Sequence, residues 1–130
     1  MSYGSSDRYR EMEVQAMSPA QRLVALYTHL LVALRQARGH IERGEIEARG
    51  ERLIKAEEIV HELLCSLDRE AGGEFADRLA ALYAWMLGQF ATIQAKPNLA
   101  QLDAVVTIVT ELHGAWQAAA AQLAGGNAAA

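Results

Sequence analysis

The chain has one cysteine, two prolines and no strand-type alternation of apolar and polar residues. Cys65 alone cannot form an internal disulfide, so no disulfide framework holds the fold. Pro19 and Pro97 fall between apolar-periodic segments, where they act as boundaries. No apolar run approaches the roughly 20 residues needed to cross a bilayer. The opening MSYGSSDRYR has no hydrophobic core of a signal peptide. Basic runs are missing too, and the net charge is −4 with both signs interspersed, which argues against non-specific nucleic-acid binding. A cytoplasmic protein without membrane insertion is the expectation.

What the sequence does have is apolar content, 52% of 130 residues, enough for one domain with a substantial core. Residues 1–17 form a polar leader with scattered apolar side chains, Tyr3, Tyr9, Met12, Val14 and Met17. Ser18-Pro19-Ala20-Gln21 then places a hydroxyl at the N-cap, proline at N1 and glutamine at N3, a capping box. Leu23, Leu26, Tyr27, Leu30, Leu34, Ala37 and Ile41 follow at spacings of three and four, predicting a helix that ends near Gly44. A second helix is predicted from about Ile46 to Glu70 on Leu53, Ala56, Val60, Leu63 and Leu67. The third carries Phe75, Leu79, Leu82, Tyr83, Met86, Phe90 and Ile93. Pro97-Asn98 interrupts the chain, with a possible second capping box from Asn98 to Gln101. The fourth helix has Leu102, Val105, Val109, Leu112, Trp116, Ala119 and Leu123. Short connections make sequential helices antiparallel neighbours. The expected fold is all-α: a leader (1–17), an up-down four-helix bundle (18–124) and a flexible tail (125–130).

The search for chemistry gives mostly exclusions. Gly72-Gly73 before a helix could cradle a phosphate, but a phosphate loop follows a strand and carries lysine. Here a helix precedes the glycines and Glu70 and Glu74 flank them, so they read as a helix terminator and tight turn. Glu58-Ile59-Val60-His61 is a Glu-x-x-His, yet a di-iron bundle needs a second one and inward glutamates from the other helices. His29, His40 and His113 have no glutamate three residues earlier. Cys65, among Leu63, Leu64 and Leu67, reads as an inert packing residue, and no serine has a base beside it. Neither catalytic residue, metal nor cofactor is expected. Apolar residues beyond one seam are the surplus: Val24, Leu31, Val32, Ile54, Ile59, Leu64, Trp85, Leu87, Val106 and Ile108. They make either a thick core or a groove for another apolar chain.

The stretch SLDREAGGEFADRLAALYAWM resembles the second-to-third helix signature of the FliS flagellar export chaperones. Tyr9, Ser18-Pro19, Leu26-Tyr27, ARGERLIKAEEIVHELLCSL and ELHGAW agree with that family in order, across roughly residues 9–118. The resemblance implies a cytoplasmic four-helix chaperone that binds the C-terminal segment of newly made flagellin on apolar surface. That would prevent premature polymerisation and hold the subunit for type III export, with export-apparatus components as further partners. Tyr9, Leu23, Tyr27, Leu30 and Leu31 carry over as partner-binding residues, together with Ile59, Leu63, Tyr83 and Met86. By the same resemblance the leader would cover part of the groove until the partner arrives. The competing readings are a metal-binding bundle enzyme, which lacks ligands, and a signalling adaptor or phosphotransfer domain, for which His61 and His113 are the candidate histidines.

Overall fold

Ser18 sets the first helix. In the computed structural model, which describes Arg8 and residues 16–129, its hydroxyl accepts the Gln21 N–H at 3.1 Å and the Gln21 side chain accepts the Ser18 N–H at 2.9 Å. With Pro19 at its first position, α1 runs Pro19–Glu42. Its end is a Schellman motif: Glu45 N–H bonds His40 O at 2.9 Å and Gly44 N–H bonds Ile41 O at 3.2 Å. The motif requires a left-handed residue, and Gly44 supplies it at φ 68°.

After that turn come α2 (Ile46–Cys65), α3 (Arg69–Ala95) and α4 (Leu99–Ala129). Asn98 caps α4 by accepting the Gln101 N–H at 3.0 Å. The Gln101 side chain does not complete a capping box; it donates to Gln89 of α3 at 2.8 Å. Among the described residues all regular structure is helical.

One boundary differs from the sequence expectation. α2 stops at Cys65 rather than near Glu70, and the chain reverses at residues 66–68. The cause is Asp68, whose carboxylate accepts the Ala71 N–H at 3.0 Å and so starts α3 three residues before the glycine pair. Gly72-Gly73 therefore does not separate two antiparallel helices. Gly73, at φ 54° and ψ −132°, breaks the helical path within the first turns of α3 and re-aims the remainder of that helix. That backbone region is open almost only to glycine. Cys65 also differs from expectation, being exposed at the last position of α2.

Polar contacts give the register. Arg38 of α1 bonds Asp103 of α4, while Thr28, ten residues earlier, meets His113, ten residues later. Opposite shifts of equal size mean that α1 and α4 run antiparallel. α1 packs against α2 and α4, and α3 against the same two, so the helices form a closed ring. Each turns one row of side chains at spacings of three and four inward. Leu30, Leu34 and Ala37 of α1 and Leu53, Val60 and Leu63 of α2 belong to one core cluster. Tyr83, Met86, Phe90 and Ile93 come from α3, and Leu102, Val105 and Val109 from α4. Each large side chain buried this way stabilises the fold by roughly 1.5–3 kcal/mol.

Candidate functional site

An apolar groove of about 590 Å³ opens at one end of the bundle. The start of α1, the end of α2 and the start of α3 form it, and Trp116 of α4 closes its back wall. Pro19, Leu23 and Leu26 lie one helical face apart on α1, and Met17 stands just before them. Leu63 and Leu67 come from the last turn of α2 and the reversal after it. Here the Ser66 hydroxyl bonds Leu63 O at 2.8 Å and tightens the end of the helix. Beyond the break at Gly73, Phe75, Ala76, Leu79 and Tyr83 complete the lining.

The walls are unevenly sealed. Leu23, Leu26 and Leu67 remain half-buried, whereas Phe75 is 60% exposed. Its ring stands edge-on to Trp116 at 6.2 Å, and Trp116 is tilted against Tyr27 at the same separation. Such aromatic pairs hold each other's orientation better than aliphatic contacts do. At the floor the Tyr27 and Tyr83 hydroxyls meet at 2.6 Å, linking the diagonal helices α1 and α3. Burial pushes both phenols upward in pKa. For Tyr27 the bonding from Tyr83 and Trp116 partly offsets this, while for Tyr83 the bond to Tyr27 adds to it. Both side chains keep their protons.

Charge is confined to the rim. Arg22 and His29 stand on the α1 side, and Glu62 and Asp68 on the α2 side, with Asp68 committed to capping α3. Among the described residues no group of three or more His, Cys, Asp or Glu side chains is placed to hold a metal. His61 is exposed beside Glu57 at 3.9 Å. No helix of the described residues is long and apolar enough to cross a membrane.

Of the partner-binding residues named from the sequence, the groove brings together Leu23, Leu63 and Tyr83, with Tyr27 immediately beneath. Leu30, Leu31, Ile59 and Met86 lie elsewhere, in the core at 4% exposure or less. Leu31 and Ile59 belong to the surplus apolar residues, but their faces turn toward neighbouring helices. Other members of that surplus, Val32, Ile54 and Trp85, do remain exposed. Tyr9 lies outside the described residues. Sequence reasoning missed Leu26, Leu67, Phe75 and Trp116 as site residues because each sits on a stripe that reads as core. The signal available for Phe75 was its position two residues after a glycine pair, where the helical phase restarts.

Four helices around an apolar core, with an apolar groove at one end, define a helical bundle with a candidate binding groove. Comparisons with known proteins name the kind. Residues 2–123 match the family model of the flagellar protein FliS. The chain is 32% identical over 117 residues to the flagellar secretion chaperone FliS of Vibrio cholerae, covering 87% of this chain and 86% of that one. It is also 32% identical over 108 residues to the FliS of Salmonella typhimurium, covering 82% and 80%. With the Bacillus subtilis FliS it shares 30% over 111 residues, covering 85% and 82%. A crystal structure described as a flagellar chaperone from bacteria superimposes with a TM-score of 0.76 at 20% identity, covering 94% of this chain and 99% of that one. The protein belongs to the FliS family of flagellar secretion chaperones, a chaperone family rather than an enzyme family.

Proposed function

We propose that this chaperone binds the C-terminal segment of newly made flagellin in the cytoplasm, seating apolar anchors of that segment in the groove. Occupancy would keep the subunit from polymerising early and present it to components of the type III export apparatus. The observation that carries this reading is the unsealed apolar lining itself. On a chain of this family, Leu23, Leu26, Leu67 and Phe75 are left partly open to water, where a monomer without a partner gains by covering them. An amphipathic helix in such a groove draws its affinity from a few buried anchors, while rim charges mainly tune the approach.

Titration calorimetry of the full chain against flagellin, with and without the flagellin C-terminal segment, tests the proposal. Binding should be lost with the segment and should change little between low and moderate salt. Equal binding of the truncated flagellin, or a steep salt dependence, would count against it.

A further inference from the structure

The charges around the groove are sorted by wall. Arg22 and His29 of α1 line one side, while Glu62 and Asp68 line the side made by the end of α2 and the reversal after it. The α3 wall brings apolar side chains and a glycine but no charge. Arg22 precedes His29 by two helical turns, so the two share one face of α1, beside Leu23 and Leu26. Most charges nearby are already committed. On α3, Arg69 meets Asp77 at 3.0 Å and Arg78 meets Glu74 at 2.8 Å. Asp68 gives a carboxylate oxygen to the Ala71 N–H. Arg22 and Glu62 differ. Both are exposed, and among the described residues neither forms an ion pair, with each other or with any other group.

Apolar contact is non-directional, so the lining by itself accepts any amphipathic helix of suitable size. Two open charges of opposite sign on different walls remove that freedom. We propose that Arg22 and Glu62 are specificity-determining residues that read the two flanks of the helix seated in the groove. A carboxylate beside the apolar face of that helix meets Arg22, and a Lys or Arg on its other flank meets Glu62. The inference rests on the reading of this groove as the seat of the flagellin C-terminal segment. A helix acidic on both flanks, or basic on both, meets a like charge on one wall whichever way it runs. The matching helix gains only modestly, because exposed ion pairs are weak. The two residues therefore choose among apolar helices while the lining supplies most of the affinity.

The test titrates a synthetic peptide of the flagellin C-terminal segment into the full chain and its variants at low salt. Arg22→Gln and Glu62→Gln should each bind roughly threefold more weakly. Arg22→Glu and Glu62→Lys should each bind roughly tenfold more weakly, because repulsion is added to the lost pair. Both side chains are exposed, so none of the four should move Tm by more than about 2 °C. Peptides with each acidic residue changed to its amide, and each Lys or Arg to Gln, then locate the partners. One acidic replacement should be costly on the parent and without effect on Arg22→Gln. One basic replacement should behave likewise with Glu62→Gln, the coupling that a double-mutant cycle reads. Changing the located acidic residue to Lys should make the peptide prefer Arg22→Glu over the parent, a rescue that a merely structural role does not give. Parent-like binding of Arg22→Glu or of Glu62→Lys, or purely additive losses, overturns the inference. Leu26→Glu is the separate control: if it binds like the parent, the groove reading itself has failed, and if it abolishes binding, the groove stands whatever Arg22 and Glu62 do.

Discussion

At the end of the bundle where α1 passes into α2 and α3 into α4, polar clasps join the helices over a sealed core. At the opposite end the same kinds of side chain leave a groove. Around the sealed end Arg49 donates to Gln94 O at 3.3 Å, the Gln94 amide returns a bond to Gly50 O at 3.2 Å, and Arg38 grips Asp103. Ala37, Leu53, Ile93 and Leu102 beneath them are at most 1% exposed. At the open end the cross-helix polar contacts nearest the groove, among the described residues, are Tyr27–Tyr83 and Thr28–His113, and Phe75 and Leu123 are each 60% exposed. Both ends are rich in leucine and alanine. What differs is whether neighbouring helices are tied across the gap, and on the proposed reading the tied end serves stability and the open end binding.

The largest effect that would break this division is on stability. Leu34→Ala, at a site with no exposure, should cost about 3 kcal/mol, lowering Tm by roughly 10 °C in a thermal melt. Leu26→Ala at the groove should cost about a third of that, because its side chain already meets water. Equal losses at the two sites would erase the distinction. Next comes binding. Phe75→Ala should leave Tm nearly unchanged but weaken flagellin affinity roughly 30-fold, the loss of about 2 kcal/mol typical of a truncated anchor. The same calorimetry on Leu31→Ala should show a folding defect rather than a specific binding defect, since Leu31 is closed inside the core.

A smaller effect separates the backbone at the two ends. Gly73→Ala forces a side chain onto a conformation that costs about 1–3 kcal/mol, and it should realign the start of α3 and loosen the groove. Circular dichroism melts together with peptide titration would show both changes, and an unaltered melt would mean that the break at Gly73 relaxes without cost.

The smallest effect concerns pH at the clasped end. The Arg38 guanidinium, by hydrogen bond first and charge second, holds the Asp103 carboxyl below its ordinary range. A carboxylate whose pKa is depressed on folding contributes stability above its unfolded pKa and loses it as pH falls through the folded one. Asp103→Asn should therefore leave a melt at neutral pH slightly lower and flatten the decline of Tm on the acid side, below about pH 4. Because the pair is solvent-exposed, the change is small and salt reduces it.

The closed end was largely legible in the sequence. Heptad-like spacing gave the inward rows there, and at the open end Ser18-Pro19-Gln21 marked the start of α1 because each of those residues has a local reason to be there. The α2–α3 boundary was misplaced because Gly72-Gly73 is a louder signal than a lone Asp68, and a cap is decided by geometry that a glycine count does not contain. The groove was legible only in part. Periodicity says that Leu31 and Leu26 belong to apolar faces, but which face is covered depends on how neighbouring helices lean. Leu30, Leu31, Ile59 and Met86 consequently stand in the core, while Phe75 and Trp116 gather at the opening. The family resemblance supplied Leu23, Leu63 and Tyr83, residues that spacing alone would have left among the core.

The three-residue connections also bear on how the chain folds. Each helix meets its sequence neighbour through a short hairpin, so most packing forms locally and carries little loop-closure entropy. Such topologies fold in microseconds to milliseconds. The exception is α4, which must return to α1 across 65 residues at Arg38–Asp103 and 85 at Thr28–His113. Docking of the last helix is the long-range step, and until it occurs Trp116 is absent from the back wall. The groove is therefore finished only once α4 has docked against α1.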